Sequence, residues 1–178
     1  MSFLPFPKEF DQNEWYIILS ALALLFLLIK LPKRFPGSIT VLVILFTVSV
    51  SRVTDHLLAG PHKDFYDIMD SGKFELFDLF SYIPYAPFGY VFIYFYDKLQ
   101  LKGMKLAFYI ICFSFGAIVF ERLVSTQYIN FLQYKSWNMF YSLPVYLIVQ
   151  PLTILFFNLV KNIHQGSLRK LGCFHNEK

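Results

Sequence analysis

Five apolar runs, at about residues 15–31, 38–59, 79–96, 106–124 and 143–160, are each 17 to 22 residues long and are joined by segments too short to form a soluble domain. A hydrocarbon core about 30 Å thick takes roughly 20 apolar helical residues to cross. Within it, only helices and closed barrels satisfy their own backbone polar groups. The pattern therefore predicts an all-α, polytopic transmembrane helix bundle of five spans, a single integral membrane domain over residues 1–178. With 56% hydrophobic and only 16% charged residues, the chain lacks the polar surface of a water-soluble domain.

Loop charge sets the expected orientation. Lys30, Lys33 and Arg34 follow the first span, Lys98, Lys102 and Lys105 join the third to the fourth, and Lys161, Arg169, Lys170 and Lys178 follow the fifth. That side carries 10 basic residues and two acids (Asp97 and Glu177), whereas the other carries 6 basic residues and 10 acids. The N-terminus is expected outside and the C-terminus in the cytoplasm. The first run ends in KLPKR without a small-residue cleavage site, so it is expected to remain as an anchor rather than leave as a signal peptide.

Several function classes find no support. The net charge of +4 is spread between apolar runs instead of forming a basic stripe, so nucleic acid is not an expected partner. There is no Gly-rich phosphate loop. Cys112 and Cys173 fall at different depths and are read as free thiols, and Cys173 with His175 is too sparse for zinc. No metal and no cofactor are expected. The connection from Pro61 to Asp78 is expected to hold a short interfacial helix stopped by Gly72, with Asp78 capping the third span.

The stretch FTVSVSRVTDHLLAG places Arg52, Asp55 and His56 at i, i+3 and i+4, on one face of the second span. Counted from Ser38 and Leu106 at 1.5 Å per residue, Arg52 and Glu121 lie about 21 and 22 Å along two parallel spans, at nearly one depth. An Arg at membrane depth costs several kcal/mol, about 2.5–3.5 on translocon scales, unless it snorkels, meets water or finds an acid. Three readings follow: a helix end snorkelling into headgroups, an interhelical ion pair of Arg52 with Asp55 or Glu121, or a ligand site. Arg122 points about 100° away from Glu121 around its helix and reaches toward the interface or the acidic loop. Asn138, beside the interfacial Trp137, can add a neutral donor and acceptor. The candidate ligand-binding or ion-pair residues are thus Arg52, Asp55, His56, Glu121, Arg122 and Asn138; none is assigned as catalytic.

Deeper in the chain, Pro84, Pro87 and Gly89 are expected to bend or pack the third span. Gln150, next to Pro151, and Asn158 are expected as interhelical glue in the fifth. The tail NIHQGSLRKLGCFHNEK reads either as a segment on the anionic inner leaflet or as disordered.

The second half of the chain carries Glu121 in FERLVSTQYI, Trp137 in YKSWN, and the Tyr and Pro of MFYSLPVY. In these features it resembles an uncharacterised family of small multi-span membrane proteins found widely in spore-forming Firmicutes. The resemblance implies a multi-pass protein of the bacterial cell membrane, with the spore inner membrane as one such location, and it supplies no activity.

The leading expectation is a non-enzymatic integral membrane sensor or accessory subunit, with an outward-facing polar pocket for a small ligand or a partner helix. Its partners are then the lipid bilayer and either another membrane protein or a second copy of the chain. The alternative is a small-solute or ion transporter component, which needs a polar path to the cytoplasm that spans one, two and four lack. A third reading, an intramembrane hydrolase using Glu121 and His56, lacks the three protein ligands a metal hydrolase normally takes.

Overall fold

The computed structural model describes residues 11–59, 63–68, 80–126, 129 and 131–175, with side chains described as far as Ser167. The helices are α1 (Gln12–Lys30), α2 (Gly37–Leu58), α3 (Tyr85–Leu99), α4 (Gly103–Val124) and α5 (Ser142–His175), and two strands, β1 (Tyr66–Ile68) and β2 (Leu132–Tyr134), form a small antiparallel sheet. Four helical segments, Gln12–Lys30, Gly37–Leu58, Gly103–Val124 and Met139–Ser167, are long and apolar enough to cross a membrane. Large apolar side chains stand exposed along them, among them Leu22, Phe26 and Ile29 on α1, Phe108 and Phe115 on α4, and Leu155 and Ile163 on α5. Outward apolar faces of this kind suit a membrane protein.

Local chemistry sets the helix ends. Asp11 caps α1 in a reciprocal box: its carboxylate accepts from Asn13 N at 3.1 Å, and Glu14 Oε2 accepts from Asp11 N at 3.0 Å. Pro32, just beyond Leu31, pushes the chain out of helical geometry. Gln100 and Gly103, at φ 49° and 54°, make the tight turn from α3 to α4.

The third apolar run differs most from expectation. A helix over 79–96 is expected, but the chain turns at 81–84 and the helix runs from Tyr85 to Leu99, 15 residues or about 22 Å. Ile83 N bonds to Phe80 O and Tyr85 N to Tyr82 O, so the segment before Pro84 is a tight turn and not a straight helical lead-in. α3 is nonetheless the most enclosed helix, burying Ala86, Gly89, Tyr90, Phe92, Ile93, Tyr94 and Asp97 between α2, α1 and α5. Gly89 permits this, because a Cβ there would sit 2.7 Å from the Cβ of Thr47 on α2. Close backbone approach of this kind is what holds helices together where apolar burial gives no advantage over lipid.

Two further expectations change. In the connection expected to hold an interfacial helix, the described part contains strand β1; Asp78 and Gly72 lie outside the described residues. The tail expected as a surface or disordered segment continues α5 in helical form to His175.

Among the described residues, two apolar clusters fill the interior. Ile17, Tyr66, Val124, Phe131 and Leu132 pack at the sheet end, while Ile39, Val43, Phe92, Ile93, Ile154 and Phe157 pack toward the opposite end. At that opposite end Asp97 ties three segments together. Arg34 Nε donates to its Oδ2 at 2.8 Å, and Lys161 Nζ reaches its Oδ1.

Candidate functional site

The site begins with the ends of α2 and α4, which bring Asp55 and Glu121 to the wall of one cavity. Both carboxylates are buried, each 7% exposed. Each takes its hydrogen bonds from hydroxyl groups.

Asp55 Oδ1 accepts from Tyr66 Oη at 2.6 Å and its Oδ2 from Tyr85 Oη at 3.3 Å. Glu121 Oε1 accepts from Tyr134 Oη at 2.6 Å and Ser142 Oγ at 2.7 Å, and its Oε2 accepts from Tyr146 Oη at 2.7 Å. Trp137 Nε1 donates to Ser142 Oγ at 3.0 Å, extending the chain of donors to the indole. Hydrogen bonds to an ionised acceptor are about twice as strong as neutral ones. A hydroxyl cage is thus one way to keep a carboxylate below the surface without a fixed cation.

Backbone bonds aim these side chains. Phe65 N bonds to Leu58 O at 3.1 Å, fixing β1 to the end of α2, and Phe131 N bonds to Val124 O at 3.2 Å, fixing β2 to the end of α4. Tyr66 and Tyr134 are direct partners across the sheet, so both rings leave the same face, toward the acids. Phe65 O accepts from the backbone N–H groups of Lys135, Ser136 and Trp137, closing the turn that carries the indole. Outside the cage, Lys135 bridges Asp64 and Asp67 at 2.7 and 2.8 Å, and these bonds hold its ammonium above the ordinary lysine range. Ser142 and Tyr146 stand at i and i+4 on α5 and so share a face.

Burial, followed by the charge of Asp55, pushes the Tyr66 phenol well above its usual range. Tyr134 moves the same way through burial and its bond to Glu121. Both phenols therefore keep their protons and act as donors near neutral pH.

Among the described residues, no Lys, Arg or His lines this cavity, whose volume is about 90 Å³. Its walls include Tyr66, Tyr85, Tyr134, Tyr146 and Trp137. A second cavity, of about 130 Å³, adjoins it across Ser51, Tyr85, Glu121, Leu132, Tyr146 and Val149. Phe88, Phe92, Phe113, Phe120 and Phe131 make that second chamber mainly apolar. One polar group on its wall is unusual. Gln150 is buried, at 6% exposed, and its Oε1 has no hydrogen-bond partner.

Of the six residues expected from sequence, the structure brings Asp55 and Glu121 together and places the other four elsewhere. Arg52 Nη1 donates to Tyr82 Oη at 2.7 Å, and its guanidinium lies 4.7 Å from the Tyr82 ring centroid. The matched depths of Arg52 and Glu121 do not become an ion pair, because Arg52 is on the exposed side of α2 and Glu121 is enclosed. His56 and Arg122 are exposed and contribute nothing to the cavity wall. Asn138 is also exposed, and its Oδ1 accepts from Phe140 N at 3.1 Å, capping the short helix Met139–Tyr141. The four tyrosines and Ser142 were not read as site residues from the sequence. Their signal lay in two acids set within apolar runs: where the neighbouring Arg52, His56 and Arg122 turn outward, the carboxylates need neutral donors.

Among the described residues, no group of three His, Cys, Asp or Glu side chains is placed to hold a metal ion. Comparison with known proteins gives no match to any family model, curated protein or solved structure.

Proposed function

We propose that the protein is a non-enzymatic integral membrane sensor or accessory subunit whose sheet-end pocket takes a small cation. One observation carries this reading. Asp55 and Glu121 line a single cavity whose described wall contains no basic side chain. Two acids facing one space favour a positive occupant, and the desolvated setting strengthens that preference.

Coupling to a signal follows from the sheet. The hydroxyls of Tyr66 and Tyr134 that hold the acids belong to the sheet, so an occupant that competes for the carboxylates changes the sheet's hold on α2 and α4. In this reading the chain crosses a bacterial cell membrane five times, and α3 with the turn before it makes the third crossing. The sheet end faces outside and Asp97 the cytoplasm. The distribution of basic residues and the resemblance to small membrane proteins of spore-forming Firmicutes support that placement.

The test is cation-dependent stabilisation of the purified protein in detergent. Ammonium or sodium chloride should raise its thermal midpoint above that in a large-cation salt at equal ionic strength. Asp55→Asn and Glu121→Gln should remove the effect. An equal response in the unaltered chain and both variants would end the reading. A cytoplasmic reporter fused at Lys178 should be active and one fused ahead of Met1 inactive; activity at both ends would mean an even number of crossings and end the five-span reading.

A transporter component is the second reading. What favours it is a run of polar residues along α5, in which Ser142, Gln150 and Thr153 are buried and Asn158 and Lys161 continue toward Asp97. Cation-dependent uptake into proteoliposomes would move the assignment there.

A further inference from the structure

Resting on the cation pocket just described, the geometry points to a primary organic ammonium ion with a short apolar tail as its ligand. The head group would occupy the first cavity and the tail the second. The two cavities share a wall that includes Glu121. The first carries both carboxylates among tyrosines and an indole, while the second lacks Asp55 and adds Phe88, Phe92, Phe113, Phe120 and Phe131.

Free acceptor positions match an ammonium head. A carboxylate offers about four lone-pair sites. Among the described residues, hydroxyls fill three of these on Glu121 and two on Asp55, which leaves acceptor capacity on both. A primary ammonium brings three N–H donors. The rings of Tyr66, Tyr85, Tyr134, Tyr146 and Trp137 add the aromatic faces that attract such cations. The unpartnered Oε1 of Gln150, one turn along α5 from Tyr146 on the shared wall, is a further buried acceptor in the joined space. A buried polar oxygen is rarely left so.

Size limits the tail. An engineered 150 Å³ cavity takes benzene, so a chamber of about 130 Å³ has room for about five carbons. An unbranched amine of four or five carbons fits the pair of cavities, while a bare inorganic cation would leave the second chamber unused.

The full chain in detergent, titrated while Trp137 fluorescence is followed, separates the possibilities. The probes are sodium, methylammonium, n-pentylammonium, 1-pentanol and pentanoate, with the Glu121→Gln protein as the control for partitioning into micelles. Each methylene buried should tighten binding about fourfold, so pentylammonium should bind on the order of a hundredfold more tightly than methylammonium. Pentanol and pentanoate should show no saturable signal beyond the control. Ala117→Leu, which fills the second chamber from α4, should bring pentylammonium down to the affinity of methylammonium and leave methylammonium unchanged. Equal binding of the two amines to the unaltered chain would overturn the tail assignment and leave the cation pocket standing. Sodium binding without ammonium binding would overturn the ammonium class alone. If no cation binds saturably, the pocket reading itself fails. The series on the unaltered chain decides these outcomes even where Ala117→Leu does not fold.

Discussion

Tyr66 and Tyr134 face each other across a two-stranded sheet, and each donates to a different buried carboxylate, Tyr66 to Asp55 and Tyr134 to Glu121, both at 2.6 Å. One sheet therefore holds the ends of α2 and α4 through a matched pair of phenols.

Removing either hydroxyl should loosen that hold. Tyr66→Phe and Tyr134→Phe are each expected to cost about 1.5–3 kcal/mol, the range for a hydrogen bond to a charged group. Chemical denaturation in mixed micelles measures the cost, and a loss below about 0.5 kcal/mol in both would show that the hydroxyls do not support the fold.

Arg52 should couple to Tyr82 and not to Glu121. In a double-mutant cycle, Arg52→Ala with Tyr82→Ala should show an interaction of about 0.5–2 kcal/mol from the hydrogen bond and the cation–π contact. Arg52→Ala with Glu121→Gln should be additive within about 0.5 kcal/mol. Strong coupling in the second cycle would restore the ion pair that their matched depths suggest.

Asp97→Asn leaves Arg34 and Lys161 without their shared acid. Breaking a buried pair costs about 3–5 kcal/mol. Both cationic partners are about a third exposed, which lowers the expected loss to about 1–3 kcal/mol. Thermal unfolding should also show Lys161→Met to be milder, since Arg34 still neutralises the acid. A Lys161→Met loss as large as that of Asp97→Asn would place the main contact on α5.

Gly89→Ala tests the α2–α3 contact. The new methyl would press on Thr47, and overpacking of this kind costs about 1–3 kcal/mol. Adding Thr47→Ala should recover part of the loss, because it removes the Oγ1 and Cγ2 atoms that the methyl meets. A Gly89→Ala protein as stable as the parent would mean that the two helices are not so closely packed.

The parts legible in the sequence were those that depend on near neighbours in the chain. Apolar runs of sufficient length specify helices in any apolar setting, so four of the expected spans return as long helices. The acids at 55 and 121 were recognised because a charge in an apolar run is costly wherever the helix goes. The third run returns as a shorter helix with shifted bounds, because hydropathy over 79–96 does not register the turn that ends at Pro84, nor the lack of a side chain at Gly89 that lets α3 sink between its neighbours.

Which groups meet the acids was settled by tertiary structure alone. Arg52 and Glu121 share a depth, but depth along an axis leaves rotation about it free, and the packing of α2 turned Arg52 outward onto Tyr82 while turning Asp55 in. The donors that replace it come from far along the chain: Tyr66 is 11 residues from Asp55 and Tyr85 is 30, while Tyr146 is 25 from Glu121. Two three-residue strands have too short a hydrophobic pattern to announce themselves, and they are anchored by the bonds that tie β1 to the end of α2 and β2 to the end of α4. Local sequence therefore singled out the two carboxylates, while the meeting of distant segments decided that they would be buried and that hydroxyls would hold them.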